Sequence, residues 1–498
     1  MPRYAATLLT TLTLCGLLSL QAHAWTDPVL VTPPDSSMHL YPELVFDNDG
    51  NMHYFFVGDK DQIPWGHDIY YCKLLRDGTR VTTDIRLDTT YSAENMAPSA
   101  LLGEEGKLHV IWNDYIWQPG DSSAIYYCRL DVNGNIEIPA KSIFYTRAKE
   151  PLLFQDSWGN LNAVWLVEND TLFYGKFDTT GQVIISKTVV YQPGSIGISN
   201  LEACMDGLDQ IHCTYRHYWG VWTEYNLGYS RINSDGQVLI DYAPLTPQTG
   251  DSSCGGADII ADDSNDLYIS YMLRLSNVFY QRVRKFNQNL DTIWDYTMVD
   301  NQLAGALIGN GDIGQDYLGN IVCVFVNNGI GLDAQRMRAT YSTNGEELIP
   351  AETIIEEEVL FGDLALRADG VAVFSFTWSE DSYDPGNEVY YCWVEDELSV
   401  VSEVSEVLPR ELSISVYPNP VNSRANISII NPQGGDVHVQ LIDPLGRIVH
   451  DYGEFFLQGR KELLLGKGLS SGVYYLSVSS GSGTTPTTEI FKPIVMLK

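Results

Sequence analysis

The sequence predicts an all-β chain, in which a seven-bladed β-propeller of four-stranded blades is followed by a small β-sandwich. Two short motifs recur about every 50 residues and in phase with each other, as expected of a repeat architecture. No copy has a convincing 3.6-residue apolar stripe, which argues against helical repeats. A change of composition near Glu397 marks the start of a separate C-terminal unit.

The first motif is an aromatic run followed by a turn. It appears as DIYYCKLLRDG from Asp68, as AIYYCRLDVNG from Ala124 and as VYYC from Val389, with weaker copies between them. The repeat-equivalent positions are Cys72, Cys128, Gly175, Ser230, Arg284, Ala339 and Cys392. Because this position also accepts Gly, Ser, Arg and Ala, its cysteines are interpreted as packing residues and not as ligands or redox groups.

The second motif is a Gly/Asn/Asp turn followed by a short apolar run, as in DNDGNMHYFF from Asp47 and DSWGNLNAVW from Asp156. This pattern is typical of a β-hairpin. Each unit therefore contains four short antiparallel strands, and seven such units predict the propeller. His53, His109 and His212 share the position just after this turn. Equivalent residues of separate blades lie far apart, so these histidines are interpreted as structural.

The first strand of the mature chain is predicted to close the ring. The fourth strand of the last unit is poorly marked, whereas the passage from Asp27 to Leu44 resembles a fourth-strand passage of another repeat. We therefore expect Pro28 to Thr32 to supply the outer strand of the last blade. Such a latch would leave no open joint between the first and last blades.

Composition limits the compartment and the partners. Residues 1–24, with an apolar run before Ala22-His23-Ala24, are typical of a signal peptide. The net charge of −34 argues against nucleic acid and anionic membrane surfaces as partners. No other segment is apolar enough to span a bilayer, and we expect a monomer. Cys204 and Cys213 flank one predicted hairpin and are the one plausible disulfide pair.

The predicted organisation is a signal peptide (1–24), a propeller (25–396), a linker (397–411) and a C-terminal domain (412–498). Alternating apolar residues and short turns predict a β-sandwich for the last of these. Four of its elements occur in a fixed order: YPNP from Tyr417, the DPLGR turn from Asp443, SGVY from Ser471, and the basic and apolar ending from Lys492 to Lys498.

In these elements the segment from Leu412 to Lys498 resembles the C-terminal sorting domain of the type IX (Por) secretion system. The resemblance implies export across the outer membrane, contact with the secretion machinery, and release or attachment at the cell surface. An ordinary fibronectin-like accessory module is the alternative.

The propeller's predicted binding face is formed by its long, varied loops between second and third strands. Exposed aromatic residues in loops are typical of surfaces that bind sugar rings or protein partners, although they also cap blades. The candidate ligand-binding residues are Trp65, Trp117, Arg216, Tyr218, Trp219 and Trp222.

An acidic column is predicted near the propeller axis. Alignment of the first strands on their turns brings together Glu43, Ser99, Leu152, Glu202, Asp258, Asp312 and Asp363. Clustered carboxylates repel one another, so the ring would raise their pKa values, bind a cation such as Ca²⁺, or hold water. No other cofactor is expected. A hydrated structural ring and a cation or catalytic site (Glu43, Glu202, Asp258, Asp312, Asp363) stay open as alternatives.

The repeat region loosely resembles the sialidase-like propellers, in blade number and turn pattern alone. The family's Asp-box, Ser-x-Asp-x-Gly-x-Thr-Trp, is absent as written, as is an Arg-Ile-Pro motif. Arg147, Arg216 and Arg274 fall near the predicted binding face, where arginine forks bind carboxylates. A shared fold does not establish a shared activity.

The sequence thus favours an exported surface or secreted propeller that binds a glycan or protein ligand through its loop face. The first alternative is an extracellular, sialidase-like glycoside hydrolase or a polysaccharide lyase that uses two carboxylates, drawn from Glu202, Asp258, Glu224 and Asp381. The second is a structural surface protein. Sequence alone leaves open whether the protein is an enzyme.

Overall fold

The computed structural model describes the chain from Trp25 onward, with gaps. The described residues are 25–33, 38–59, 67–88, 94–115, 123–167, 171–194, 197–218, 225–246, 252–275, 278–301, 307–316, 319–328, 335–355, 359–367, 371–378, 387–393, 413–417, 425–465, 472–481 and 488–496. Within these ranges the regular structure is entirely β. The predicted signal peptide and linker lie outside the described residues, so those boundaries stay predictions.

The described strands before residue 394 form seven four-stranded antiparallel sheets. The first three sheets contain β2 (His39–Phe46), β3 (Met52–Gly58), β4 (Asp68–Leu74) and β5 (Ile85–Arg86); β6 (Glu94–Leu102), β7 (Lys107–Tyr115), β8 (Ala124–Asp131) and β9 (Ile136–Tyr145); and β10 (Ala148–Gln155), β11 (Leu161–Val167), β12 (Thr171–Phe177) and β13 (Val183–Tyr191).

The fourth to sixth sheets contain β14 (Ile198–Met205), β15 (Gln210–Tyr218), β16 (Tyr225–Asn233) and β17 (Val238–Pro244); β18 (Ser252–Ala261), β19 (Leu267–Leu275), β20 (Val278–Phe286) and β21 (Thr292–Asn301); and β22 (Leu307–Gln315), β23 (Ile321–Asn328), β24 (Gln335–Tyr341) and β25 (Glu347–Ile355). The seventh contains β26 (Val359–Leu366), β27 (Ala372–Trp378), β28 (Glu388–Trp393) and the N-terminal β1 (Val29–Leu30).

The first strands of successive sheets are neighbours all the way round. Contacts run from β2 to β6, then to β10, β14, β18, β22 and β26, and from β26 back to β2. Apolar cores lie between adjacent sheets, as where Phe144 of β9 stacks on Trp165 of β11 with ring centroids 5.0 Å apart. The predicted all-β propeller is therefore confirmed.

The N-terminal strand closes the ring, as predicted. In the register of β1 and β28, Val29 pairs with Tyr391, and the backbone nitrogen of Val31 donates to Val389 O at 2.8 Å. The Thr32 hydroxyl accepts a further bond from Val389 N at 3.1 Å. The last sheet thus receives its outer strand from the other end of the propeller chain.

Aspartates build the tight turn between first and second strands. The Oδ1 atom of Asp156 accepts hydrogen bonds from the backbone N–H groups of Trp158 and Asn160, at 3.0 and 2.9 Å. Asp206 makes the same pair of bonds to Leu208 and Gln210 at 2.9 and 2.8 Å. An aspartate that bonds its own backbone two residues on is a general turn device, so the recurring Asp explains why the hairpins repeat.

The predicted packing role of the cysteines agrees with their surroundings. All seven cysteines in the described ranges are free thiols. Cys213 pairs with Ala203, and Cys204 pairs with His212. Since directly opposed residues share a face and neighbours alternate, the two thiols point to opposite faces of the sheet. Cys213 packs in the core against the third sheet and Cys204 in the core against the fifth, so no disulfide joins them.

The predicted structural role of the histidines is also supported by their contacts. His53 Nδ1 lies 2.9 Å from the Tyr71 hydroxyl and its Nε2 lies 3.2 Å from Asp47 Oδ2. His212 is held in the same way by Tyr229 and Asp206, at 2.7 and 3.1 Å. These two imidazoles link the turn aspartate to a tyrosine of the third strand inside one blade, and His109 links Glu105 to Tyr127 in the same way.

The C-terminal unit is a five-stranded antiparallel sheet folded over one core. Its strands are β29 (Ser413–Tyr417), β30 (Ala425–Ile442), β31 (Ile448–Leu465), β32 (Gly472–Gly481) and β33 (Thr488–Met496). Both halves of the long β30 contribute to the core, through Ile427 and Ile429 on one side of a register shift and Val437 and Val439 on the other. β29 also contacts β33, which gives a sandwich-like shape.

No helix in the described ranges has the length and apolarity needed to cross a membrane.

Candidate functional site

The structure describes some of the predicted site residues and not others. Arg216, Tyr218, Glu202, Asp258 and the rest of the acidic column lie within the described residues. The remaining candidates, Trp65, Trp117, Trp219, Trp222, Glu224 and Asp381, lie outside them.

The acidic column lies where the seven first strands meet. Each of these strands has a register shift at this level, such as that between Leu40 and Glu43 in β2. At this bulge the side chain reaches the next sheet. Glu43 Oε1 accepts a hydrogen bond from Ala100 N at 2.9 Å, and Asp363 Oδ2 accepts one from Leu44 N at 2.7 Å. The column therefore joins neighbouring sheets to one another.

The column continues through the second, third and fifth sheets. The Ser99 hydroxyl accepts a hydrogen bond from Leu153 N at 3.2 Å, and Asp258 Oδ2 accepts one from Ile313 N at 2.9 Å. In the third sheet the sequence alignment placed Leu152 at this position, but the acceptor is Glu150, whose Oε2 receives Leu201 N at 2.7 Å. Glu150 has a φ of 51°, in the left-handed region, as do Tyr41, Ala97 and Asn200 at the matching positions of other first strands.

Burial and mutual repulsion raise the pKa values of these carboxyl groups. The pKa of Asp258 rises to about 7 and that of Asp363 to about 6, chiefly because burial disfavours the charged form. The pKa values of Glu43 and Glu202 lie well above the usual range, from burial first and then from Asp363 and Asp258 respectively. These carboxyl groups hold their protons in conditions where an exposed acid is ionised.

No group of three or more Cys, His, Asp or Glu side chains among the described residues is arranged to hold a metal ion. The cation site proposed for the column from the sequence remains an untested prediction. The bonds to neighbouring sheets give Glu43, Asp258 and Asp363 a structural role.

We expect Glu43→Gln to make the stability of the propeller less sensitive to pH. Because the pKa of Glu43 is higher in the folded than in the unfolded chain, its contribution is complete at low pH and is lost as pH rises through the folded value. The amide oxygen of Gln still accepts Ala100 N but does not ionise. Relative to the wild type, the variant gains stability as pH rises above the unfolded-state pKa of about 4.3.

Thermal unfolding at several pH values measures this difference. Glu346→Gln, at an exposed turn position, is the matched control and leaves the pH profile unchanged. A Glu43→Gln profile parallel to that of the wild type would contradict the assigned protonation.

A second group of polar side chains lies at the loop end of the fourth sheet. We call Ser199, Arg216, Tyr218 and Tyr225 the rim cluster. Arg216 lies over the ring of Tyr225, with 5.2 Å between the guanidinium carbon and the ring centroid. The Tyr218 and Ser199 hydroxyls are 3.1 Å apart, and Tyr218 meets Tyr225 edge to face at 5.6 Å. The rim cluster is half-buried.

Arg216 is held close to the fifth sheet. A Cβ atom at position 255 would collide with Arg216 Nε and lie 2.9 Å from its guanidinium carbon, so a side chain at this position would displace the guanidinium. Arg216 Nε is buried and has no hydrogen-bond partner among the described residues. A buried guanidinium nitrogen without a partner is costly.

The other side of the same strand end carries a histidine cluster. His217 Nε2 lies 2.9 Å from the Tyr191 hydroxyl, and the His217 ring lies 4.6 Å from that of Tyr242. Burial lowers the pKa of His217 and raises that of Tyr191 to about 12. A neutral imidazole therefore meets a protonated phenol. Since adjacent residues of a strand alternate between faces, Arg216 points toward the fifth sheet and His217 toward the third.

The sequence reasoning found Arg216 and Tyr218 but missed His217, Tyr191 and Tyr225. A usable signal was present for His217, because it stands between Arg216 and Tyr218 in the segment RHY, which is followed by further aromatic residues in the sequence. The contacts with Tyr191 and Gly255 come from neighbouring blades and have no local sequence signal.

The C-terminal unit has a match among protein families. Residues 415–492 match the family described as "Secretion system C-terminal sorting domain". The chain carries a type IX sorting domain. The protein is therefore exported by type IX secretion, to the cell surface or the extracellular space. The resemblance inferred from the YPNP, DPLGR and SGVY elements is confirmed.

Solved structures match the repeat region in fold. An ulvan lyase of a new polysaccharide lyase family, bound to a segment of glucuronic acid and 3-sulfated rhamnose, is 13% identical with a TM-score of 0.52, covering 76% of this chain and 99% of its own. A second structure of ulvan lyase is 14% identical with a TM-score of 0.50, covering 76% and 98%.

A Hadza microbial sialidase is also similar, at 10% identity and a TM-score of 0.40, covering 70% of this chain and 77% of its own. No curated protein sequence matches the chain. At 13% and 14% identity, the likeness to the two ulvan lyase structures shows the fold alone.

Proposed function

We propose that this exported propeller binds an acidic polysaccharide at the loop end of its fourth and fifth sheets. The observation that carries the proposal is Arg216, whose buried Nε lacks an acceptor while its guanidinium lies over an aromatic ring. Arginine binds carboxylate and sulfate through paired hydrogen bonds, and tyrosine rings offer apolar faces to sugars. Arg274 lies at the neighbouring strand end, over the ring of Phe279 at 5.8 Å.

Two further findings support a carbohydrate ligand. Export by type IX secretion brings the protein to the compartment where polysaccharides occur. The ulvan lyase of similar fold was solved with a glucuronate-containing segment. Neither finding identifies this chain's own ligand, so the proposal depends on the rim cluster.

The test is a binding titration of the exported chain with acidic and neutral polysaccharides. We expect the acidic polymers to bind, and Arg216→Gln to weaken their binding by about tenfold, the usual size of a charge-assisted contact. Gly255→Ala should have a similar effect, because the added methyl group displaces the guanidinium. Arg231→Gln is the matched control, since Arg231 lies on the turn side and bonds Gln288 O.

Equal affinity of the wild type and Arg216→Gln would overturn the proposal. The conservative variant Tyr218→Phe separates stacking from hydrogen bonding, because it keeps the ring and removes only the hydroxyl that faces Ser199.

The second candidate is a polysaccharide lyase, favoured by the pair of His217 and Tyr191. Elimination of a uronate needs a base to take the proton beside the carboxylate and an acid to protonate the leaving oxygen. A neutral imidazole beside a protonated phenol has the right protonation states for these roles. Release of unsaturated uronate in the same titrations, lost in His217→Gln, would favour catalysis. Bound polymer that stays intact would leave binding as the function.

The two-carboxylate hydrolase is less well supported. Glu202 and Asp258 each have a raised pKa, and Asp258 is engaged with the backbone of the next sheet. A retaining mechanism requires an ionised nucleophile, which burial disfavours here.

A further inference from the structure

A cavity lies at the joint between the first and seventh sheets, on the side of the tight turns. Its volume is about 470 Å³, within the range of roughly 300–1,000 Å³ typical of small-molecule sites. Its lining includes Met52, Arg76, Asp77, Arg367, Tyr391 and Trp393. The rim cluster is at the opposite ends of the strands, so this cavity is a separate place in the fold.

The floor of the cavity is apolar and rigid. Met52, Val373 and Tyr391 are at most 2% exposed. Trp393 stacks on Tyr391 with 5.3 Å between ring centroids, and its backbone nitrogen donates to the Thr26 hydroxyl at 3.2 Å. A fixed indole is a platform for the apolar face of a ring.

The rim of the cavity is charged. Arg76 and Arg367 come from turns of different sheets, yet their Cδ atoms lie 3.4 and 3.2 Å from the position that a Cβ atom would take at Gly50. The backbone nitrogen of Arg76 donates to Asn51 Oδ1 at 3.2 Å, which fixes its turn. In a chain of net charge −34, two arginine stems thus converge at this rim, and guanidinium groups bind carboxylates through paired hydrogen bonds.

Asp77 completes the rim as an acceptor of hydroxyl hydrogens. Hydrogen bonds from Thr79 lower the pKa of Asp77, so its carboxylate is ionised. The cavity thus combines an indole platform, two arginines and one carboxylate. A hexuronate matches this set, because it has an apolar ring face, one carboxylate and several hydroxyl groups.

We propose that this cavity binds a hexuronate, either free or at the end of a short oligosaccharide, with its ring on Trp393 and its carboxylate between Arg76 and Arg367. The proposal draws on the carbohydrate-related role but not on the rim cluster. Because the lining comes from both the first and the last sheet, the bound sugar joins the two ends of the ring. A ligand that binds only the folded state stabilises it by mass action.

The experiment is a titration of the exported chain with D-glucuronate, followed by tryptophan fluorescence and by thermal unfolding. We expect saturable binding and a rise in unfolding temperature, whereas D-glucose binds at least tenfold more weakly. Arg367→Gln should raise the Kd at least tenfold, and Trp393→Ala should abolish binding while Trp393→Phe restores part of it. The matched control is Arg129→Gln, a turn-side arginine that bonds Thr179 O.

The outcomes separate this proposal from the rim cluster. If glucuronate binding survives in Arg216→Gln and fails in Arg367→Gln, the cavity is the site. If it fails in Arg216→Gln and survives in Arg367→Gln, the cavity proposal is wrong while the loop-end function stands. Absence of saturation by glucuronate, or equal binding of glucose, also overturns it.

Discussion

A chain that lacks residues 25–32 is expected to lose a large part of the propeller's stability. The deletion removes β1, leaves one edge of β28 unpaired and takes Val31, which is 2% exposed, out of the core of the joint. It also removes Trp25, which packs near Arg338 with 5.8 Å between the guanidinium carbon and the ring. We expect a loss of roughly 3–5 kcal/mol, the size of removing a large core side chain.

Thermal unfolding and limited proteolysis of the truncated chain measure this loss. A matched pair keeps the chain length constant: Val31→Asp buries a charge in the joint, whereas Val183→Asp changes a valine that is 37% exposed on the outer strand β13. The first should unfold well below the second. Equal unfolding temperatures for the two variants would mean that the ring does not depend on its latch.

Replacement of Asp156 by Asn should be the most damaging single change in a turn. Asp156 Oδ2 lies 2.7 Å from Lys176 Nζ, with side-chain exposures of 0% and 8%. The amide leaves the buried ammonium without an anion, which costs roughly 3–5 kcal/mol. The Oδ1 atom still caps the turn, so the effect reports the ion pair and not the loss of the turn.

Asp178→Asn is the control for that prediction. Asp178 caps its own turn with the same bonds, to Thr180 N and Gln182 N at 2.9 Å each, but at a less buried position. Denaturant titration should place Asp178→Asn within about 1 kcal/mol of the wild type. The double variant Asp156→Asn with Lys176→Met should recover part of the loss, because the unpaired charge is gone. An Asp156→Asn variant as stable as Asp178→Asn would contradict the buried pair.

Alignment of the repeats predicted most, but not all, of the residues of the acidic column that bond the next sheet. The spacing of the turns placed Glu43, Ser99, Asp258 and Asp363 at one level, and each bonds the next sheet. It failed in the third sheet, where Leu152 occupies the aligned position and Glu150 makes the bond. Leucine has no side-chain acceptor, so Glu150, two residues earlier in the same bulged segment, makes the bond, and the spacing of the turns does not reveal this exchange.

Cys204 and Cys213 show that strand register decides which face of a sheet a side chain occupies. The spacing of Cys204 and Cys213 suited a bridge across a hairpin, but the register is Cys204 with His212 and Cys213 with Ala203. A shift of one residue in register sends a side chain to the other face of the sheet. Register therefore decided a question that sequence distance left open.

The sequence by itself determined the architecture and the destination of this protein. Strand and turn periodicity are local properties written in every repeat, and so is the ordered set of YPNP, DPLGR and SGVY elements in the sorting domain. The tertiary structure alone decided which side chains meet. Arg216 against Gly255, His217 against Tyr191, and Arg76 beside Arg367 join residues of different blades. Such contacts depend on how neighbouring sheets pack, and no periodicity within one blade encodes them.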